Sequence, residues 1–186
     1  MTTRMVLKGT QFQEECFKDI KGDYGIFLDL YCFDYLPDDE KKRNREIHFV
    51  WLEGKLMILA AIGKPVLYLK GKKADFVSFV CGVFHAIFHF LHITPYSFYK
   101  MIKKSLLKNG KPSKQAGFLF ETKPGVCSMA IDEILPVRRM PFEDMEINVP
   151  AKIEQYLARR FGDDYMQLPP EEKRHNHPPY FLNFGE

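Results

Sequence analysis

The sequence predicts a mixed helix-and-strand domain, of the α/β or α+β class, on three observations. A short apolar and aromatic run, GIFLDLYCF at residues 25–33, alternates as a strand does. Patterns with helix start or stop signals follow at residues 37–61, 96–108 and 150–161. The chain of 186 residues, 46% hydrophobic and 27% charged, has the composition of a globular protein with a core of its own. That balance excludes a disordered or fibrous chain, and the length fits a single domain over residues 1–186.

The elements read in order as follows. Residues 1–24 are polar and mixed, with a strand expected over residues 10–17. In the run 25–33, Ile26, Leu28, Leu30 and Cys32 share one face, and Phe27, Asp29, Tyr31 and Phe33 share the other. Asp29 therefore points the same way as three aromatics, and burial of an unpaired carboxylate there costs several kcal/mol. No cation stands beside it in the local sequence. Asp34 falls on the opposite parity, at a turn. Pro37, Asp38, Asp39 and Glu40 start a helix, since proline suits the first turn and acids complement its positive end. That helix is expected to run to about Ala61.

FVSFVCGVFHAIFHFLHI, residues 76–93, is eighteen residues without a formal charge. Its length alone nominates a membrane span. Its three histidines, and basic residues on both sides, favour a buried or membrane-surface helix instead. Residues 96–108 form a helix with lysines outward, and NGKPSKQAG at 109–117 is a loop. GFLFET (117–122) and GVCSMAI (125–131) read as short strands, and ILPVRRMPFEDMEINVP as loop. Residues 150–161 form a helix with proline in its first turn, Ile153, Tyr156, Leu157 and Phe161 on one face, and Gly162 as its stop. The tail DDYMQLPPEEKRHNHPP, residues 163–179, is too rich in proline to be regular.

The net charge of +3 is too small to imply nucleic acid. Basic residues do cluster, as KKRNR at 41–45, KGKK at 70–73 and KK at 103–104. Such runs are ordinarily solvated surface, and the sharper alternative is a face for phosphate or anionic lipid. Cys16, Cys32, Cys81 and Cys127 lack metal or redox spacing and read as free, mostly buried thiols of a reducing compartment. The opening residues carry no signal-peptide core, so the expected location is cytoplasmic.

Two constellations stand out. His85, His89 and His92 lie at i, i+4 and i+7, a spacing that can chelate zinc, but no acid or cysteine completes the set. Lys173, Arg174, His175 and His177 place several donors in a proline-stiffened tail, where arginine offers phosphate a fork and lysine a point charge. As an isolated feature, that tail reads as solvated.

GIFLDLYCFDYLPDD resembles the segment of the LicD family that runs Gly-Ile-Phe-Ile-Asp-Ile-Phe-Pro-Leu-Asp and then Pro-Asp. PFEDMEINVPAKIEQYLARRFGDDYMQLPPEEKRHNH resembles the closing block of the same family: a Phe-Glu pair, a Pro-started helix, a Gly-Asp-Tyr-Met turn, Pro-Pro and a basic end with histidine. The two blocks stand in the family's order, and the resemblance covers about residues 4–178, thinly in the middle. It implies an α+β, nucleotidyltransferase-like fold with a largely helical C-terminal part. It implies metal-dependent transfer of a phosphorylated alcohol, such as phosphocholine or ribitol phosphate, from a CDP-activated donor to a cell-surface glycan or glycolipid. Mg²⁺ or Mn²⁺ is the implied cofactor, Asp29 the matching catalytic and metal-binding acid, and Lys173, Arg174, His175 and His177 the substrate-binding candidates. Nucleic acid is not an expected partner; peripheral contact with the inner face of a membrane is.

The family carries a further acidic pair and a glycine-rich turn upstream of this block. The 24 residues before Gly25 contain neither. The chain therefore looks like the later portion of a LicD-type protein, incomplete in its metal site. The alternative reading is a non-catalytic remnant or binding module that has lost that site.

Overall fold

The computed structural model describes residues 3–15, 18, 22, 24–63, 71–108, 112–121, 123–171, 174 and 179–185. Among them are five helices and four small antiparallel sheets, an α+β arrangement. They group into two compact units, one made of residues 1–32 and 165–186, the other of residues 33–164.

The first unit is built from strands. β1 (Thr3–Val6) pairs with β3 (Phe27–Leu30), and β2 (Gln11–Glu14) pairs with β9 (Pro179–Asn183). The predicted strand at 25–33 is thus shorter than its apolar run. Gly25 and Ile26 belong instead to a tight junction organised by Thr10, one of two buried polar or charged side chains among the described residues. Thr10 Oγ1 donates to the Leu7 carbonyl (2.7 Å) and accepts the Ile26 N–H (2.9 Å). A Cβ on Gly25 would meet Val6 Cγ1 at 2.5 Å and the Thr10 carbonyl oxygen at 3.1 Å. Glycine is required there by close backbone approach, not by its own torsions. β9 starts at Pro179, the last residue of the proline-rich tail. Its YFLN run became a strand because β2 offers it an open edge.

The second unit holds the core. α1 (Glu40–Ala61) starts where the Asp39 carboxylate accepts the Lys42 N–H at 2.8 Å, an N-cap. Its inward stripe is Ile47, Val50, Glu53, Gly54 and Met57, spaced as one helix face. α3 (Pro95–Lys108) buries Phe98 and Ile102. The central cluster joins Ile47, Val50 and Ile102 to Leu36 of β4 (Asp34–Leu36) and to Leu119. Each such side chain contributes about 1.5–3 kcal/mol by leaving water. β4 pairs with β5 (Gln115–Gly117), which pairs with β6 (Ser128–Ala130). One turn of helix, α4 (Ile131–Ile134), follows.

Four expectations need correction here. Residues 118–121 and 125–127 are not strand; the ladder is Gln115–Gly117 with Ser128–Ala130, extended by one bond from the Phe118 N–H to the Cys127 carbonyl. The stretch ILPVRRMPFEDMEINVP, whose sequence reads as loop, contains a hairpin, β7 (Arg138–Phe142) with β8 (Met145–Val149), turning at Glu143 with φ of 51°. Three prolines, Pro136, Pro141 and Pro150, concealed it, although Pro141 is tolerated in a two-stranded ribbon with an open edge. α5 (Ile153–Phe161) begins three residues after Pro150 and ends at Gly162, whose φ of 101° suits glycine. Finally, of the two alternatives expected for residues 76–93, the buried one is not met: none of the residues of α2 (Lys72–Phe90) is buried. It is long and apolar enough to cross a membrane by length and composition.

Candidate functional site

Asp29 sits on β3 directly opposite Arg4 of β1. Arg4 Nε–H donates to Asp29 Oδ1 at 3.1 Å, and its guanidinium lies 3.8 Å from the centre of the Phe27 ring. The side chains are 28% and 36% exposed, Asp29 the more covered. Tyr31 and Phe33 are exposed as well. The expectation of a carboxylate held among aromatics without a cation is therefore corrected. The cation comes from a strand 25 residues earlier. Local sequence could not reveal it, because only antiparallel register puts Arg4 across from Asp29.

The same strand leads from Arg4 through Val6 into the turn at residues 7–10, which forms one wall of a cleft of about 540 Å³. Lys8, Thr10, Gln11, Tyr24 and Phe181 are among its lining residues. The size is that of a small-molecule site. Lys8 supplies a cation and the turn supplies backbone polar groups. Neither Arg4 nor Lys8 was among the residues singled out in the sequence; their short-range contexts are featureless, and only the β1–β3 pairing and the turn geometry distinguish them.

Arg174 is exposed in the same unit; its Nε–H donates to the Pro169 carbonyl (2.8 Å) and its guanidinium lies 3.9 Å from Glu171. Lys173, His175 and His177 lie outside the described residues, so Asp29 and Arg174 are the two predicted site residues that the structure places.

Hard divalent cations take several oxygen ligands. Among the described residues, no group of three or more His, Cys, Asp or Glu side chains comes together. Asp29 supplies one carboxylate, and one of its oxygens is engaged by Arg4. The described donor set thus does not by itself fit Mg²⁺ or Mn²⁺. The histidine row is divided too. His85 Nδ1 lies 2.9 Å from the Leu59 carbonyl and so donates to α1, while His92 has left the helix with φ of 55°.

The second unit contains a polar cluster that no sequence pattern announced. Arg160 of α5 reaches Glu121 Oε1 at 2.9 Å, donates to the Tyr156 hydroxyl at 3.0 Å, and lies 3.4 Å from Cys127 Sγ. The Cys127 thiol itself donates to Glu121 Oε1 at 3.4 Å. Burial, followed by the neighbouring Glu121 carboxylate, pushes that thiol up to about 11. Burial likewise raises Tyr156. A thiol so held is a proton donor rather than a nucleophile. The cluster anchors α5 to the 118–127 segment and offers no activated group.

Comparison of the chain with protein-family models, with curated proteins and with solved structures finds no match in any of the three.

Proposed function

We propose that this chain is a LicD-type phosphotransferase polypeptide with a nucleotidyltransferase-like fold, acting on a CDP-activated alcohol and a glycan or glycolipid acceptor. The observation that carries the reading is the Asp29–Arg4 pair on β1–β3, continuous through β1 with the cleft beside Lys8. It coincides with the GIFLDLYCFDYLPDD block on which the family resemblance rests. In such a reaction an acceptor hydroxyl attacks the phosphorus that bears the alcohol. The bond from that phosphorus to the bridging oxygen breaks, and CMP leaves with the electron pair. Arg4 and Lys8 would bind diphosphate oxygens, arginine through its fork. Asp29 would orient Arg4 and accept a proton or charge at its second oxygen. Arg174, with Lys173, His175 and His177, is assigned to the substrate side. Mg²⁺ or Mn²⁺ belongs to the proposal as the family's cofactor.

The second reading, a binding module without catalysis, is favoured by a different observation. Asp29 already has a cation partner, and among the described residues no group of three or more His, Cys, Asp or Glu side chains comes together. Both readings place the chain at the inner, cytoplasmic side of a membrane that carries the acceptor.

Incubation with CDP-choline or CDP-ribitol, a glycan acceptor and Mg²⁺ separates them. CMP release that is lost in Asp29→Asn supports the transferase. Saturable CDP binding without CMP release gives the binding module. Absence of both removes the cleft from either role.

A further inference from the structure

We propose that α2 and α3 form a docking surface for an anionic membrane bilayer. α2 would lie in the plane of the interface with its outer apolar stripe among the headgroups and first methylenes, and the lysines of α3 would lie against lipid phosphates.

The faces of α2 divide cleanly. Ala74, Val77, Cys81, His85 and Phe88 are the half-covered side, and His85 bonds α1 through the Leu59 carbonyl. The other side carries Phe76, Phe79, Val83, Ile87 and Phe90, spaced i, i+3, i+7, i+11 and i+14. These side chains are 68%, 69%, 43%, 44% and 80% exposed. Three phenylalanines this exposed form an apolar ridge roughly 20 Å long at 1.5 Å per residue, larger than the scattered apolar residues of an ordinary surface.

α3 supplies the complementary chemistry. Phe98 and Ile102 face inward, leaving Tyr96, Tyr99, Lys100, Lys103, Lys104 and Lys108 around an open, shallow depression. Tyr96 and Tyr99 stack at 5.9 Å, and Lys100 Nζ lies 5.1 Å from the Tyr96 ring centre. Tyrosine beside lysine is the pairing found at the headgroup level of membranes. Phe88 of α2 meets Phe98 of α3 at 5.4 Å, which ties the two helices together where residues 91–94 join them. Across residues 72–108 there are six lysines and a single acid, Asp75.

That charge decides the occupant. A second copy of this chain meeting the surface in a two-fold interface would bring lysine against lysine, with almost no acid to compensate. A phosphate-bearing bilayer matches both the ridge and the charge. Crossing the bilayer is a poorer solution, because α2 packs on α1, whose own surface carries Lys41, Lys42, Arg45 and Lys55.

The test is co-sedimentation with vesicles of phosphatidylcholine plus phosphatidylglycerol and with vesicles of phosphatidylcholine alone. It needs no nucleotide, so it stands or falls separately from the transferase reading. The wild-type chain should sediment with the anionic vesicles and be released by salt. Phe76→Ser with Phe79→Ser, and separately Lys103→Gln with Lys104→Gln, should each weaken partitioning about tenfold or more, each lysine accounting for roughly fivefold. The altered side chains are exposed, so unchanged circular dichroism and melting temperature check that the variants fold. No sedimentation, equal binding to neutral vesicles, or binding that survives both pairs of substitutions overturns the proposal. Retention through alkaline carbonate extraction overturns it in favour of a span. A dimer that Phe79→Ser dissociates, with no vesicle binding, overturns it in favour of self-association.

Discussion

Arg160 and Glu121 lie 2.9 Å apart with only 21% and 13% of their side chains exposed, which makes theirs the most covered ion pair among the described residues. The pair ties α5 to the segment between β5 and β6, and Tyr156 and Cys127 complete its hydrogen bonds. Burial works against the Arg160 charge, and its bond to Tyr156 and the Glu121 carboxylate more than offset it, so arginine stays protonated. Arg160→Met leaves Glu121 covered and unpaired and should destabilise by about 2–3 kcal/mol. Adding Glu121→Gln to it should recover part of that loss. Denaturant unfolding of both variants checks this, and equal losses would show that the partners do not interact.

Cys127 has no exposure and a thiol pushed up to about 11 from an ordinary 9.0. An acid whose folded value is raised keeps its proton more tightly in the native state. Its contribution is fully present below pH 9 and is lost as pH rises from about 9 to about 11, by about 2 kcal/mol. The Cys127→Ala variant should lack that component of the alkaline loss. Thiol reagents at mildly alkaline pH should label exposed Cys32 in the folded chain and reach Cys127 only in denaturant. Rapid native labelling of Cys127 would contradict the packing.

Glu53 occupies a position in the inward stripe of α1 where its neighbours are apolar, and its Oε2 is buried without a hydrogen-bond partner among the described residues. Burial raises its carboxyl above the ordinary 4.5. Stability linked to it is therefore greatest below pH 4.5 and declines as pH climbs from there through the folded value. Glu53→Gln should be stabilising at pH 7 by about 1 kcal/mol, with the gain fading on acidification. Thermal melting across pH 4 to 8 reads the crossover. A variant that loses stability at pH 7 would mean that the carboxylate is used there.

Asp29→Asn removes a partner from Arg4 in a pair that is about a third exposed. It should cost about 0.5–1 kcal/mol, as half-exposed pairs do, where a stranded carboxylate would have gained stability on the same change. Arg4→Met should cost a similar amount, and the double variant little more. If Asp29 serves transfer, CMP release falls far more than stability does. A melting temperature that rises in Asp29→Asn would show that the pair is not formed in solution.

Gly25→Ala places a methyl group against Val6 Cγ1 and the Thr10 carbonyl. It should destabilise the first unit by about 1–3 kcal/mol through overpacking. Gly9→Ala instead meets open space but forces a φ of 86° on alanine, a backbone cost of about 1 kcal/mol. Hydrogen exchange at Ile26 and Phe27 should accelerate in the first variant. Unchanged exchange there would place the tight junction elsewhere.

The sequence by itself determined the elements whose signals are local. α1 is announced by Asp39 and its acidic first turn, α3 by its outward lysines, and the end of α5 by Gly162. Each of these depends on contacts within a few residues, which is the range over which propensity and capping act. The position of Asp29 on a strand was legible for the same reason. What only the tertiary structure decided are the relations between distant segments: Arg4 across from Asp29, β9 beside β2, and Arg160 against Glu121. The same holds for the exposure of α2, none of whose residues is buried although its unbroken apolar run reads alike for a core helix and an interfacial one. Periodicity records that a side chain leaves water; it does not record whether protein or lipid receives it, because both are equally apolar.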